Sequence, residues 1–516
     1  MRRYIPVLLV VIALSARLIP GPRIIDDSYI TYRYSRNILA GNGFVFNPGE
    51  RVLGTTTPLY TLILVGIGSV TGGTNAPFPI ISWLLNAIID SVSCVLLWQI
   101  GKIIVSNRVG IILSILWAIA PFSVTFSIGG LETSLFILFL LLTSYFFIRS
   151  YILYIWLCAS LMILTRPDAL IFLMPLFLLP VLFPLHRKIY QPRAILLSAI
   201  PLILWFAFGF WYFGSPLPHS LAAKSVAYQL PSNAAFVRLI QHYLTPFSEQ
   251  YAFGTAILYG SLLVYPALFI IGFIAIYRKI SLALALLIYP ITYFLTFAIV
   301  HPLIFRWYLT PPLPFYFMTL LAGAESLLQR IILRFKPEIS ATPSPPRKLD
   351  FAFVSNSLIT LFLLIPIILS LKGWVFKPDH GNNAPSPEMA WVKLEELYKR
   401  ASGDILAVSS PDAVVAAGDV GVLGYFTDRN ILDTVGLNSP VSSSYYPLPK
   451  SDYVINYAIP TKLILDQKPD LVVFLEAYGR NTLLRSQEFL IHYHQIKEYQ
   501  TDLYGSRGLL LYQKVD

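Results

Sequence analysis

Pro58-Leu59-Tyr60-Thr61-Leu62-Ile63-Leu64-Val65-Gly66-Ile67-Gly68-Ser69-Val70-Thr71-Gly72 is the stretch on which the topology of this 516-residue chain turns. It is apolar but interrupted by glycine, and it is short for a bilayer crossing, which takes about 20 residues. Eleven other apolar runs are long enough to cross, given slack for tilt and short loops. They lie near residues 4–20, 79–101, 109–128, 133–148, 151–165, 169–185, 194–213, 253–276, 281–300, 308–328 and 351–371. If Pro58–Gly72 stays on the outer face, several basic groups share the cytoplasmic side with Arg2 and Arg3. These are Lys102 with Arg108, Arg149, Arg187 with Lys188 and Arg193, Arg278 with Lys279, and the run from Arg330 to Lys348. That distribution satisfies the positive-inside rule. If the stretch crosses, every later group turns outward. It is therefore expected to lie in or dip into the outer interface, inside one extracytoplasmic loop covering residues 21–78.

Composition agrees with this class. The chain is 56% hydrophobic and 13% charged, with a mean hydropathy of +0.65, too apolar for an ordinary globular protein. The net charge of +11 does not indicate nucleic acid, because the basic residues stand in short groups between apolar runs, as orientation signals do. Cys94 and Cys158 lie inside apolar runs and offer neither a disulfide nor metal-ligand spacing. Met1-Arg2-Arg3 followed by Tyr4–Leu18 reads as a retained first helix with a cytoplasmic N-terminus.

An odd number of spans then places everything after Leu371 outside the cell, where the composition becomes that of a soluble domain. Within residues 373–516, Glu388–Arg400 has helical spacing at Trp391, Leu394 and Leu397 or Tyr398. Asp404–Ser409, Val414–Ala417, Ile431–Val435, Leu471–Glu476 and Gly508–Gln513 read as short buried strands of an α/β layer. The Pro-rich Lys336–Arg347 has no core-forming pattern and is expected to be a cytoplasmic linker. The sequence has no internal repeat.

Moving toward the N-terminus from Pro58, Ile24-Ile25-Asp26-Asp27-Ser28-Tyr29-Ile30-Thr31-Tyr32-Arg33-Tyr34-Ser35-Arg36 opens an aromatic, cationic helix on an acidic pair. Either Asp can N-cap that helix, and Gly41 ends it. Asp26, Tyr29, Arg33 and Arg36 or Asn37 share a face, which suits a phosphorylated substrate beside a base; an interfacial helix with snorkelling arginines and belt tyrosines has the same pattern. Ser127-Ile128-Gly129-Gly130-Leu131-Glu132-Thr133-Ser134 places one carboxylate between two apolar helices at the same membrane face, a costly position unless the acid is paired or used. Arg166, Asp168, His219, Lys224, His301, Arg306 and Tyr308 are further outer-face polar positions. Asp90 is deep in a span and is expected to make an interior hydrogen bond, with Asn86 or Ser93 as candidates. His492 and His494 lie two apart on an expected strand face, without a metal-binding pattern, and Asp433 is expected to serve a turn.

The Asp26-Asp27 helix, the following Gly41-Asn42-Gly43-Phe44-Val45-Phe46-Asn47-Pro48-Gly49-Glu50-Arg51-Val52 with Thr57-Pro58-Leu59, and the Gly130-Leu131-Glu132-Thr133 turn resemble the GT-C superfamily of polyprenyl-phosphate-dependent membrane glycosyltransferases, nearest its arabinofuranosyltransferase-like branch. More distant similarity is to protein mannosyltransferases and the lipid A aminoarabinose transferase. The resemblance implies a transmembrane GT-C catalytic domain over residues 1–372, with juxtamembrane helices in its first outer loop. It further implies transfer of a sugar from a polyprenyl-phosphate carrier to a glycan, lipid or protein hydroxyl, at the outer face of the cytoplasmic membrane. The family's first-loop acid falls on Asp26 or Asp27 and its second-loop acid on Glu132.

The residues suit that chemistry. A carboxylate can deprotonate an acceptor hydroxyl, and a phosphate leaving group needs cations such as Lys224, Arg306 and Arg33. Tyr29, Arg36, Arg166, His219, His301 and Tyr308 complete the expected substrate-binding set. No nucleotide-type phosphate loop occurs, and no cofactor is required. Paired acids can bind a divalent metal, but Asp26 and Asp27 are adjacent and not separated by one residue, so none is expected. The alternative functions are a lipid-linked sugar flippase or transporter without bond chemistry, and a non-enzymatic glycan-binding assembly protein.

Overall fold

The computed structural model describes residues 2–182, 189–334, 351–376, 385–389 and 391–515. The linker Lys336–Arg347 and the loop cations Arg187 and Lys188 lie outside the described residues. Among the described residues six helices are long and apolar enough to cross a membrane, or seven if the pair Asn107–Ile119 and Pro121–Ile128, bent by 47°, is one span. Ile5–Leu18, Pro58–Thr71, Thr133–Arg149, Ile152–Thr165 and Ala169–Leu179 are apolar but shorter, so length alone does not establish eleven crossings. The chain is a multi-pass membrane protein with a C-terminal sheet domain.

The membrane helices pack where small residues let backbones approach, since apolar burial does little to bring helices together in lipid. A Cβ on Gly272 would stand 1.9 Å from the Thr319 carbonyl oxygen, and one on Gly323 would stand 2.0 Å from that of Leu268. These glycines seat helix Ile257–Lys279 against helix Leu313–Arg334. The deep acid Asp90, on helix Phe78–Ile104, is paired with Arg17 of helix Ile5–Leu18, Nε to Oδ2 at 3.0 Å. Its partner is thus neither Asn86, which donates to the Ser127 and Leu131 carbonyls, nor Ser93, which donates to the Ile89 carbonyl. A full charge on the facing helix offsets the cost of a buried carboxylate better than a neutral amide or hydroxyl does.

Pro58–Thr71 forms a 14-residue helix with Pro58 in its first turn. It buries Tyr60, Thr61, Leu64 and Gly68 and leaves Leu62 and Val70 exposed.

Past Leu371, β1 (Trp374–Val375) pairs antiparallel with β2 (Ser386–Pro387), and a helix runs from Trp391 to Val408. Asp404–Ser409 is thus not a strand. Leu394, Leu397, Tyr398, Ala401 and Ile405 continue one buried helical stripe, so a single face carries the chain four residues beyond Asp404. The five-stranded sheet has the order β4-β3-β5-β7-β6. Its strands are β3 (Val414–Ala417), β4 (Asn430–Asp433), β5 (Leu471–Leu475), β6 (Tyr493–Gln500) and β7 (Gly508–Lys514). β3 runs parallel to β4 and β5, while β7 is antiparallel to β5 and β6. Strand β6, on which the strand face expected around His494 falls, is a largely exposed edge, Tyr-His-Gln-Ile-Lys-Glu-Tyr-Gln, whose polar residues carry no apolar run. His494 sits on β6 and His492 ends the preceding short helix. Asp433 serves a turn, its carboxylate accepting from the N–H groups of Val435, Gly436 and Asn438.

Helix Asp26–Leu39 joins the two parts. Its Tyr29, Tyr32 and Tyr34 share one apolar cluster with Val415 and Ala417 of β3 and with Val422 and Leu423 beyond it.

Candidate active site

The start of helix Asp26–Leu39 is fixed by the glycine turn before helix Thr133–Arg149. Arg23 and Ile25 donate their N–H groups to the carbonyls of Ile128 and Gly129, at 2.9 and 3.0 Å, and Ser28 Oγ donates to Gly129 at 2.8 Å. Gly130 has φ +77°, and a Cβ there would lie 2.1 Å from the Tyr32 hydroxyl, so only glycine allows this approach. Two stretches about a hundred residues apart are held together in this way, and Glu132 comes to the same cavity as Asp27.

The pair divides. Successive helical residues point about 100° apart, so neighbours cannot share a face. Asp26 accepts the backbone N–H groups of Val422 and Gly421, at 2.7 and 3.0 Å, at the start of helix Gly421–Thr427 in the C-terminal domain. The rest of its face follows. The Tyr29 hydroxyl donates to Glu395 at 2.7 Å. Arg33, 1% exposed, donates to the carbonyls of Phe46, Gly424 and Arg429 and to Asn47 Oδ1. Arg36 donates to the Tyr425 carbonyl and lies 3.8 Å over that ring. The face read from the sequence as substrate-binding is therefore turned into the C-terminal domain, and the Arg33 guanidinium is satisfied by protein acceptors.

Asp27 instead lines a cavity of about 580 Å³ with Glu132, Arg166, Lys224, His301 and Tyr308. Arg166 is the strut of its floor. It forks onto Asp168 with two contacts of 2.9 Å and reaches Glu132 Oε1 at 3.4 Å, while the Tyr293 hydroxyl supports Asp168 at 3.2 Å. Lys224, on helix His219–Ala227, has no ion pair among the described residues and lies 4.8 Å from the Phe305 ring centre. Burial raises the Asp27 carboxyl above the ordinary range, with Lys224 opposing the rise. Burial also raises Glu132, in the turn outside the helix, against the pull of Arg166. For Lys224 burial acts downward, but Tyr308, Asp27 and Glu132 together hold the ammonium above the ordinary lysine value. Acids raised by burial and an ammonium held charged by its neighbours thus share one cavity.

Two further expected residues lie elsewhere. His219 Nε2 is 3.4 Å from Ser443 Oγ in the C-terminal domain, and Arg306 lines a neighbouring cavity, its guanidinium 5.4 Å over Trp391. The cavity also has walls the sequence did not announce. Thr55, Thr56 and Thr57 line it and had a signal in their clustering, whereas Leu437 arrives from the C-terminal domain and had none. Gly54 passes so close to that domain that a Cβ would lie 2.1 Å from Asn438 Oδ1. Among the described residues no three His, Cys, Asp or Glu side chains converge as a metal site.

Residues 390–512 match a family described as Domain of unknown function (DUF8728). A stretch of 50 residues, 10% of this chain and 8% of the other, is 50% identical to the Terminal beta-(1->2)-arabinofuranosyltransferase of Mycobacterium tuberculosis. The whole chain superposes on ArnT from Cupriavidus metallidurans bound to undecaprenyl phosphate, with TM-score 0.56 and 12% identity, covering 100% of this chain and 98% of that one. It also superposes on the Archaeoglobus fulgidus oligosaccharyltransferase, with TM-score 0.53 and 14% identity, covering 99% and 73%. The fold is that of the GT-C glycosyltransferases.

Proposed function

We propose that this chain is a membrane glycosyltransferase moving a sugar from a polyprenyl-phosphate carrier to an acceptor hydroxyl of an envelope glycan, lipid or protein, at the outer face of the cytoplasmic membrane. The observation that carries this is the meeting of Asp27, Glu132 and Lys224 around one cavity. The carrier is supported by the likeness to ArnT, solved with undecaprenyl phosphate. The short match to an arabinofuranosyltransferase supports sugar transfer.

Asp27 takes the proton of the acceptor hydroxyl as that oxygen attacks the anomeric carbon. The bond from that carbon to the phosphate oxygen breaks, and the polyprenyl phosphate leaves with the electron pair, its charge met by Lys224. Phosphate is stable as an anion, so no acid is needed on the leaving side; the proton held by Asp27 passes to solvent. Glu132, oriented by Arg166, accepts hydrogen bonds from sugar or acceptor hydroxyls. The reaction so written uses no cofactor and no metal, and it should persist in chelator. Eleven crossings, with Pro58–Thr71 at the outer interface and the C-terminal domain outside, complete the proposal.

The test is transfer by the purified chain in nanodiscs, using radiolabelled polyprenyl-phosphate sugars and an envelope acceptor extract, with Asp27→Asn beside wild type. Transfer by wild type and its loss in the folded variant is the expected result. Full activity of Asp27→Asn overturns the base, and donor binding without any transfer turns the function toward a lipid-linked sugar flippase.

A further inference from the structure

A second cavity of about 290 Å³ lies beside the first, on the other side of an aromatic wall. Phe126 forms that wall, with its ring 6.2 Å from Trp391 and 6.4 Å from Trp307. One short turn, Arg306–Leu309, serves both spaces: Trp307 and Tyr308 face the candidate active site and Arg306 faces the second cavity. Arg238, from helix Ala234–Leu244, joins Arg306 there, and neither guanidinium has an ion pair among the described residues. Glu388 is the one carboxylate on the wall. His242 adds no charge, since burial holds its imidazole down to about 3 and its Nε2 meets the Leu309 carbonyl at 3.0 Å. Gln250 Oε1 and Trp391 Nε1 are buried without a hydrogen-bond partner, so the cavity also offers polar groups left unused by the protein.

The same helices carry an apolar groove of about 420 Å³ formed by Ile240, Leu244, Leu262, Pro266, Phe269 and Phe294. Gln241 and Thr245 of the polar cavity neighbour Ile240 and Leu244 of the groove, and Leu258 of the cavity stands one turn from Leu262. Helix Ile257–Lys279 is a candidate span with only 11% of its apolar window buried, so its outer face belongs to the bilayer. By one-turn spacings on their helices, Gln241 with Leu244 and Leu258 with Leu262, the cationic pocket thus lies next to an apolar groove on the lipid-facing side.

We propose that cavity and groove form one binding site for an anionic amphiphile, a lipid with its head-group phosphate between Arg238 and Arg306 and its chain in the groove. Two guanidiniums sharing a partly buried space repel each other, and a phosphate oxygen between them removes that repulsion while supplying acceptors. The site is separate from the cavity of Asp27 and Lys224 and stands whether or not the chain transfers sugar.

The test uses the full chain in detergent micelles with equal amounts of phosphatidylglycerol and phosphatidylcholine, read by native mass spectrometry. Wild type should retain phosphatidylglycerol. Arg238→Gln with Arg306→Gln should weaken that retention about tenfold or more, the scale of charge-assisted hydrogen bonds, while Arg238→Lys with Arg306→Lys and the separate variant Lys224→Gln keep it. Leu262→Trp, which fills the groove, should also lower retention. Equal retention of the two lipids, an undiminished signal in the double Gln variant, or loss in Lys224→Gln overturns the site. Glycerol phosphate distinguishes a free anion from a lipid: stabilisation equal to that by phosphatidylglycerol overturns the part played by the groove.

Discussion

Asp26 and Asp27 are adjacent in the chain and serve different parts of the molecule: Asp26 accepts two backbone N–H groups of the C-terminal domain, while Asp27 lines the cavity that holds Lys224. One helix therefore carries both the seat of the C-terminal domain and the candidate base.

The two acids should differ in their loss. Asp27→Asn should lower transfer by about 10²–10⁴, the usual contribution of a general base, without changing unfolding. Asp26→Asn should instead cost about 1–3 kcal/mol of domain docking, as for a buried hydrogen-bonding group that loses its match, seen as earlier protease cleavage between the two parts. Equal kinetic losses with unchanged docking in both would contradict the division.

The activity should have an acidic limb set by Asp27. Its carboxyl is raised by burial and must be ionised to act as base, so the rate climbs with pH through that raised value. Lys224 opposes the rise, so Lys224→Gln should move the limb to higher pH as well as slow the reaction. A pH–rate profile of both proteins checks this, and a limb that stays in place refutes it.

Asp419 gives a stability prediction of defined sign. Burial pushes its carboxyl above the ordinary value, together with that of the neighbouring Asp26, and the Tyr398 hydroxyl, 2.6 Å away, opposes the rise. Folding thus favours the protonated acid. Its contribution is complete below the unfolded value and is lost as pH rises through the folded one. Asp419→Asn should flatten the decline in thermal stability between those two values; an unchanged slope counts against the assignment.

The Arg17–Asp90 pair should be costly to break and cheap to replace. Arg17→Met or Asp90→Leu alone should destabilise by about 3–5 kcal/mol, because each leaves a buried charge unpaired. The double variant should recover most of the loss in detergent unfolding, and additive losses would contradict a pair.

The membrane class and a C-terminal sheet domain were legible because each rests on a local signal, and Asp27, Glu132, Arg166 and Lys224, which line one cavity, each stood out in the sequence. Apolar length marks helices, a change of composition marks the domain, and a polar residue at a helix end between apolar runs stands out. The partner of Asp90 was not legible, since Arg17 lies at the end of a separate helix. Strand β6 was marked only by the two-residue spacing at His494, because an exposed edge has no apolar pattern.

The sequence by itself determined that a helix opening on Asp26-Asp27 would present distinct faces, because the 100° step of the α-helix is local geometry. Only the tertiary structure decided what each face meets. The C-terminal-domain groups that bond Asp26, Arg33 and Arg36 lie between residues 421 and 429, nearly four hundred positions away, and are backbone groups. Every residue carries such groups, so no side-chain pattern could have marked them.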